Sequence, residues 1–177
     1  ICQLLADKYK VCCVYKNNKE KAEDVVRSIL DAGGYNACAI KADVGNPAAL
    51  VAMFDEAEKL LGGPITALVN NAAVLGPHHQ KIMELPSPRE DPQIFEDELW
   101  TVLRPNVLGP LTASRLAIER MSVKNGGRGG AIVNISSGAA FIQGAPLLYM
   151  ISKGALNSMQ CGLVQECAKH GIRINTI

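Results

Sequence analysis

A tyrosine and a lysine stand four residues apart in Tyr149-Met-Ile-Ser-Lys153. On a helix, positions i and i+4 share a face, so both side chains can reach one site. The pairing has a chemical use. A free phenol titrates near pH ~10, too high for easy proton exchange at neutral pH. A nearby ammonium stabilises the phenolate. The tyrosine can then act as general acid or base at a carbonyl or carbinol oxygen. Spacing alone is weak evidence, because a packed ring beside a solvated amine gives the same pattern by chance. Ser137 strengthens it. This serine follows the apolar run Ala131-Ile-Val-Asn-Ile135 and precedes Tyr149 by twelve residues. A hydroxyl at the carboxyl end of a buried strand can hydrogen-bond a substrate oxygen whose charge changes during a reaction. The plainer alternative is a turn or N-cap serine.

The elements that must position these residues alternate between strand and helix. Val11–Tyr15 is a short β-rich run of the kind found in buried parallel strands. Lys19–Ala32 carries a helical apolar stripe, stopped by Gly33-Gly34. Strands are expected at Asn36–Ala42, Ile65–Val69, Ala131–Ile135 and from Ile172 onward. Helices are expected at Ile1–Lys8, at Pro47–Leu61 with Asn46 as N-cap, over the long stretch Phe95–Val123, and at Tyr149–His170. Gly76–Pro92 is polar and Pro-rich, and has the character of a covering loop. Strands alternating with helices imply a parallel sheet with right-handed crossovers, an α/β doubly wound architecture in one domain over residues 1–177. That class binds ligands beyond the carboxyl ends of its strands. Lys16-Asn17, Asp43, Asn70-Asn71 and Ser136-Ser137 all follow strands.

Composition narrows the partners. The chain has 177 residues, a formal net charge of +1, 48% hydrophobic residues and 5% aromatics. Nothing in this points to a nucleic acid or an acidic membrane. No apolar run approaches the roughly 20 residues that span a bilayer. The six cysteines (Cys2, Cys12, Cys13, Cys38, Cys161, Cys167) contain no C-x-x-C pair, and the three histidines lack zinc-site spacing, so no metal site is expected. Reduced thiols in the cytoplasm or another reducing compartment are the expectation. The chain opens on Ile1, not Met, so a targeting segment cannot be judged.

With these residues in view, the sequence resembles the classical branch of the short-chain dehydrogenase/reductase family over essentially its whole length. The matching pieces occur in family order: Asp43-Val44 after a strand, Leu68-Val-Asn-Asn-Ala-Ala73, Asn106-Val-Leu-Gly109, Ile132-Val-Asn-Ile-Ser-Ser137, and Tyr149-x-x-x-Lys153 followed by Gly154-Ala155. Arg173-Ile-Asn175 resembles the start of the family's next strand. Each motif is weak alone; the ordered set is not.

The resemblance implies a Rossmann-like fold and an NAD(P)(H)-dependent oxidoreductase acting on a carbonyl/alcohol pair. Tyr149 would be the general acid/base. Lys153 would favour the phenolate and hold the nicotinamide ribose hydroxyls. Ser137, rather than Ser136, would orient the substrate oxygen. Asn106 would help hold a water that links Lys153 to solvent, and Pro105 beside it implies a helix irregularity. Asn70, Asn71 and Ala72 would pass under the adenosine half of the cofactor; the family usually has Gly where this chain has Ala73. Asp43 would bond the adenine edge and Val44 would pack on the ring. In Tyr15-Lys16-Asn17-Asn18 no carboxylate is present to take the ribose 2′-OH, whereas Lys16 and Asn17 could receive a 2′-phosphate, so NADP(H) is favoured over NAD(H).

Among relatives the chain most resembles bacterial-type sugar-alcohol dehydrogenases and 3-oxoacyl carrier-protein reductases. The long helices resemble those used for dimer and tetramer contacts, so a homodimer or homotetramer is expected. The family's first strand and Gly-rich pyrophosphate turn have no counterpart here, nor does the part that follows the last strand. A fragment lacking the central strand and the C-terminal part, inactive on its own, is the expectation. The rival reading is a non-catalytic NADP-binding regulatory or scaffold protein on the same fold. The retained Ser137, Tyr149, Lys153 and Asn106 argue against it.

Overall fold

The structure, a computed structural model, describes residues 1–177. It divides into two compact units, Ile1–Ile65 and Thr66–Ile177.

The first unit contains α1 (Cys2–Leu5), β1 (Val11–Tyr15), α2 (Lys19–Asp31), β2 (Ala37–Lys41) and α3 (Pro47–Leu61). β1 and β2 are parallel and in register from Val11↔Ala37 to Tyr15↔Lys41. Helix ends follow the side-chain chemistry. Asn46 Oδ1 accepts from Ala48 N and Ala49 N, with Pro47 in the first turn. Gly62 closes α3 in the left-handed region, φ 66°, where a side chain would be strained. Alternation along β1 turns Val11 toward Ala6, Ile29 and Ala37. The first helix is shorter than its apolar pattern suggests. After Leu5 the amides of Lys8 and Tyr9 both bond Leu5 O, closing a turn instead of extending the helix.

The second unit holds β3 (Ala67–Asn70), α4 (Pro92–Leu103), α5 (Gly109–Met121), β4 (Gly130–Asn134), α6 (Leu147–Lys169) and β5 (Ile172–Thr176). Its three strands are parallel, with β4 in the middle. The middle strand is the dry one: Ile132 and Asn134 are fully buried. A polar ladder crosses it. Asn70 Nδ2 donates to Asn134 Oδ1 (2.8 Å), and Asn134 Nδ2 donates to Thr176 Oγ1 (3.5 Å). These residues are in-register neighbours, so a one-residue slip would leave buried amides unpaired.

The long helix expected over Phe95–Val123 is not continuous. Asp91 caps α4 through Gln93 N and Ile94 N, and α4 then passes through a π-helical turn, Arg104–Leu108, into α5. Pro105 supplies no N–H, so the regular ladder cannot continue through it. The segment between β3 and α4 is a loop with a single 3-10 turn, Ile82–Glu84. Leu85 anchors it in a cluster with Val102 and Leu148. Gly76 starts the loop at φ 73°, where an added Cβ would collide with the Val102 side chain. No helix is long and apolar enough to cross a membrane.

Candidate functional site

Helix α6 begins at Leu147, two residues earlier than its apolar pattern suggests, which puts Tyr149 in its first turn and Lys153 one turn further. Tyr149 is half-buried, while Lys153 is only 3% exposed. The Lys153 amine lies 5.5 Å from the centroid of the Tyr149 ring and donates to Ile135 O (2.7 Å) just past the carboxyl end of β4. Burial holds the Lys153 pKa below its ordinary value of 10.5. No carboxylate neutralises it. An ammonium with three donors spends one on Ile135 and keeps two.

The two serines after β4 divide their work. Ser136 Oγ donates to Lys153 O (3.1 Å), tying that segment to α6. Ser137 Oγ accepts from Ala139 N (3.2 Å), capping a 3-10 turn at Gly138–Ala140. The Ser137 hydroxyl is thus a cap, as the plainer reading has it. Its proton stays free to donate, because a cap uses only the oxygen.

Asn106 sits in the π-helical turn and is 1% exposed. Its Oδ1 accepts from Val74 N (2.8 Å), and its Nδ2 donates to Val74 O (2.8 Å) and Ser152 Oγ (3.0 Å). Ser152 Oγ in turn donates to Tyr149 O (2.7 Å). Asn106 therefore does not bond locally to its own helix. It clamps the segment after β3 to the first turns of α6.

Sequence reasoning missed a second brace. His79 O accepts from Leu147 N (2.7 Å), the first amide of α6, while His79 Nε2 lies 2.7 Å from Glu98 Oε1 on α4. Pro146 provides no side-chain cap, so the loop carbonyl supplies the acceptor that the helix start lacks. Ser152 was missed as well. Its only signal was its place between Tyr149 and Lys153.

In the first unit, Lys16 Nζ pairs with Asp43 Oδ2 at 2.7 Å, and Asp43 Oδ1 accepts from Gly45 N (2.9 Å). The hydrogen bond from Lys16, followed by the Gly45 amide, holds the Asp43 pKa below the usual carboxylate value. Asn17 is exposed and Val44 half-buried. In the second unit, Asn70 Nδ2 donates to Asn134 Oδ1 and to Ser114 Oγ, which leaves its Oδ1 as an acceptor. Asn71 and Ala72 are exposed.

Comparison with known proteins decides the family. The family model described as short chain dehydrogenase matches residues 1–177. The chain belongs to this family. It is 37% identical over 177 residues to the uncharacterized oxidoreductase YgfF of Escherichia coli (strain K12), a match covering 98% of this chain and 66% of that protein. It is 34% identical over 171 residues to the glucose and ribitol dehydrogenase homolog of Oryza sativa subsp. japonica, covering 92% of this chain and 54% of that one. A crystal structure of a short chain dehydrogenase from Burkholderia cenocepacia in complex with NADP superposes with a TM-score of 0.80 at 28% identity, over 98% of this chain and 64% of that chain. A dehydrogenase/reductase from Sinorhizobium meliloti gives a TM-score of 0.80 at 29% identity, over 99% and 64%. The chain thus spans less than two thirds of the length of these relatives, and its fold is the Rossmann-like α/β fold with parallel sheets.

Within the second unit, Lys153 has unspent N–H groups that fit the ribose hydroxyls of the nicotinamide group this short-chain dehydrogenase family uses.

Proposed function

We propose that this chain carries the proton-transfer site of an NAD(P)(H)-dependent oxidoreductase acting on a carbonyl/alcohol pair, with Tyr149 as general acid/base. The observation that carries it is the unpaired, buried Lys153 ammonium beside the Tyr149 ring. A buried charge without a carboxylate costs stability. A neighbouring group that becomes anionic during turnover gives a reason for keeping it. A bound nicotinamide supplies or accepts the hydride. In reduction, the Tyr149 hydroxyl gives its proton to the substrate oxygen, and Lys153 stabilises the phenolate that results. The Ser137 hydroxyl donates to the same substrate oxygen and holds it in place. Asn106, through Ser152, fixes the turn of α6 that carries Tyr149, and it holds a water that returns a proton to Lys153 from solvent.

Asp43, Val44, Lys16 and Asn17 take the adenosine end of the cofactor in this reading, with Asn71 and Ala72 as close-approach backbone. NADP(H) is preferred over NAD(H), because Lys16 is a cation and no carboxylate stands at Asn17 or Asn18. An NADP(H) preference favours the reductive direction. The substrate is a small carbonyl or alcohol of the sugar-alcohol or 3-oxoacyl type. The working protein is a homodimer or homotetramer in a reducing compartment, and residues 1–177 alone do not turn over.

Tyr149→Phe tests the assignment in any form of the protein that turns over. NADPH affinity should hold, while turnover with a carbonyl panel should fall by roughly two to four orders of magnitude. Turnover like that of the unaltered protein would sink the mechanism. NADPH binding with no turnover on any carbonyl or alcohol, in the unaltered protein, would instead favour a binding protein.

A further inference from the structure

Four of the six cysteines, Cys2, Cys12, Cys13 and Cys38, lie in the first unit, none of them in a disulfide. They form two pairs. Alternation along β1 sends Cys13 to the face that carries α1, where its thiol meets that of Cys2. Cys12 faces the other way, toward the side where Glu56 of α3 influences Cys38. Cys12 and Cys38 are direct partners in the parallel register of β1 and β2, so their side chains share one face. Neighbouring strands lie about 4.8 Å apart, inside the roughly 4.4–6.8 Å that a disulfide requires between Cα atoms. Both residues are half-buried rather than sealed. The proton-transfer chemistry uses neither of them.

We propose that Cys12 and Cys38 form an oxidisable dithiol site, converted by hydrogen peroxide to a disulfide that staples β1 to β2. The order of events follows from burial, which opposes ionisation of both thiols and most strongly that of Cys12. Cys38 is therefore the attacking sulfur and Cys12 the resolving one. The Cys38 thiolate attacks one oxygen of hydrogen peroxide, the O–O bond breaks, hydroxide leaves and takes a proton to become water, and Cys38 becomes a sulfenic acid. The Cys12 sulfur then attacks the Cys38 sulfur, the S–O bond breaks, and a second water leaves. The pair loses two electrons and two protons, and the peroxide becomes two waters. Because burial suppresses both thiolates, the reaction is slow at neutral pH and quickens as pH rises. The Cys2–Cys13 pair is the weaker candidate, because no ladder fixes the separation of a four-residue helix from a strand.

The test uses the 177-residue chain, reduced and then exposed to hydrogen peroxide at pH 7 and at pH 9. Peroxide is quenched with catalase, free thiols are alkylated, and the chain is digested without reductant for mass spectrometry. The expected product is a peptide pair joined through Cys12 and Cys38, about 2 Da lighter than the two thiol peptides together, formed faster at pH 9 and reversed by dithiothreitol. Cys12→Ser should leave Cys38 as a sulfenic acid that dimedone traps, and Cys38→Ser should leave Cys12 reduced. The exposed Cys161 serves as the internal control. Oxidation of Cys161 with Cys12 and Cys38 still alkylated would overturn the proposal, as would a link from either one to another cysteine. The result does not depend on the oxidoreductase reading, because no turnover is measured.

Discussion

Lys153 and Lys16 are both single ammonium groups, one in each unit, and the structure holds them in opposite ways. Lys153 is 3% exposed, bonded to a backbone carbonyl, and has no carboxylate nearby. Lys16 has a side chain 62% exposed and an ion pair with Asp43. The first arrangement is costly and the second nearly neutral in free energy. A chain keeps an expensive buried charge where the charge has work that stability does not reward. It keeps an exposed pair for reach and solvation. If this contrast is correct, substitutions in the two places should fail in different currencies: turnover in one, small salt-dependent stability changes in the other.

Lys153→Met offers the strongest challenge to it. The kcat should fall by at least two orders of magnitude, because the phenolate of Tyr149 loses its cation. Stability should not fall with it. The sign follows from burial, which holds the folded pKa below 10.5. The unfolded chain therefore holds its proton to higher pH than the folded one. The penalty is fully present at neutral pH and is relieved as pH rises from the folded pKa toward 10.5. Met removes that penalty and loses one hydrogen bond, so Tm near neutral pH should stay level or rise by up to ~3 °C. Thermal melts at pH 7 and pH 10 check this. A fall of more than about 5 °C at pH 7 would mean that Lys153 holds the fold together.

Asn106→Ala comes next, and it should damage both properties. Three partners, Val74 N, Val74 O and Ser152 Oγ, lose their bonds together, the last of them buried. At roughly 1 kcal/mol or more each, the second unit should lose about 3 kcal/mol. Urea denaturation measures this as a lower midpoint at unchanged slope. Turnover should drop as the first turn of α6 loosens. Unchanged stability would show that the clamp between Val74 and α6 carries no strength.

Local chemistry made much of this legible in advance, and long-range pairing hid the rest. Asn46-Pro47 and Gly62-Gly63 mark the ends of α3, because caps act within a turn. Pro105 marks the π-helical turn, since a missing N–H breaks the ladder wherever it falls. The i+4 spacing of Tyr149 and Lys153 brings them together on any helix. By contrast, Asn106 meets Val74 and Ser152 across 32 and 46 residues, and no periodicity encodes such a contact. His79 stands in a loop that pattern alone leaves without structure, yet its carbonyl starts α6 and its ring reaches Glu98. The division between Ser136 and Ser137 came from family likeness. In the structure the Ser136 hydroxyl donates to Lys153 O, while Ser137 Oγ accepts from Ala139 N.

Asp43→Asn should give the smallest effect and is the sharpest check on the exposed side of the comparison. Asp43 is held below its usual pKa of 3.8 by Lys16 first and the Gly45 amide second. For a carboxylate shifted this way, the stabilisation is present above 3.8 and is lost as pH falls through the lower folded value. At neutral pH, solvent around a 62%/40% exposed pair screens most of it, leaving about 0–1 kcal/mol. Asn keeps an oxygen for the Gly45 amide, so the loss should sit at the low end. It should shrink further in 1 M salt, where the screening length is about 3 Å, and disappear as pH falls through the lowered folded pKa, where the carboxyl of Asp43 itself becomes neutral. Urea titrations at low salt, high salt and low pH measure all three. A loss above about 2 kcal/mol that ignores salt would place Lys16 and Asp43 with Lys153, as charges the fold itself depends on, and the contrast between the two lysines would disappear.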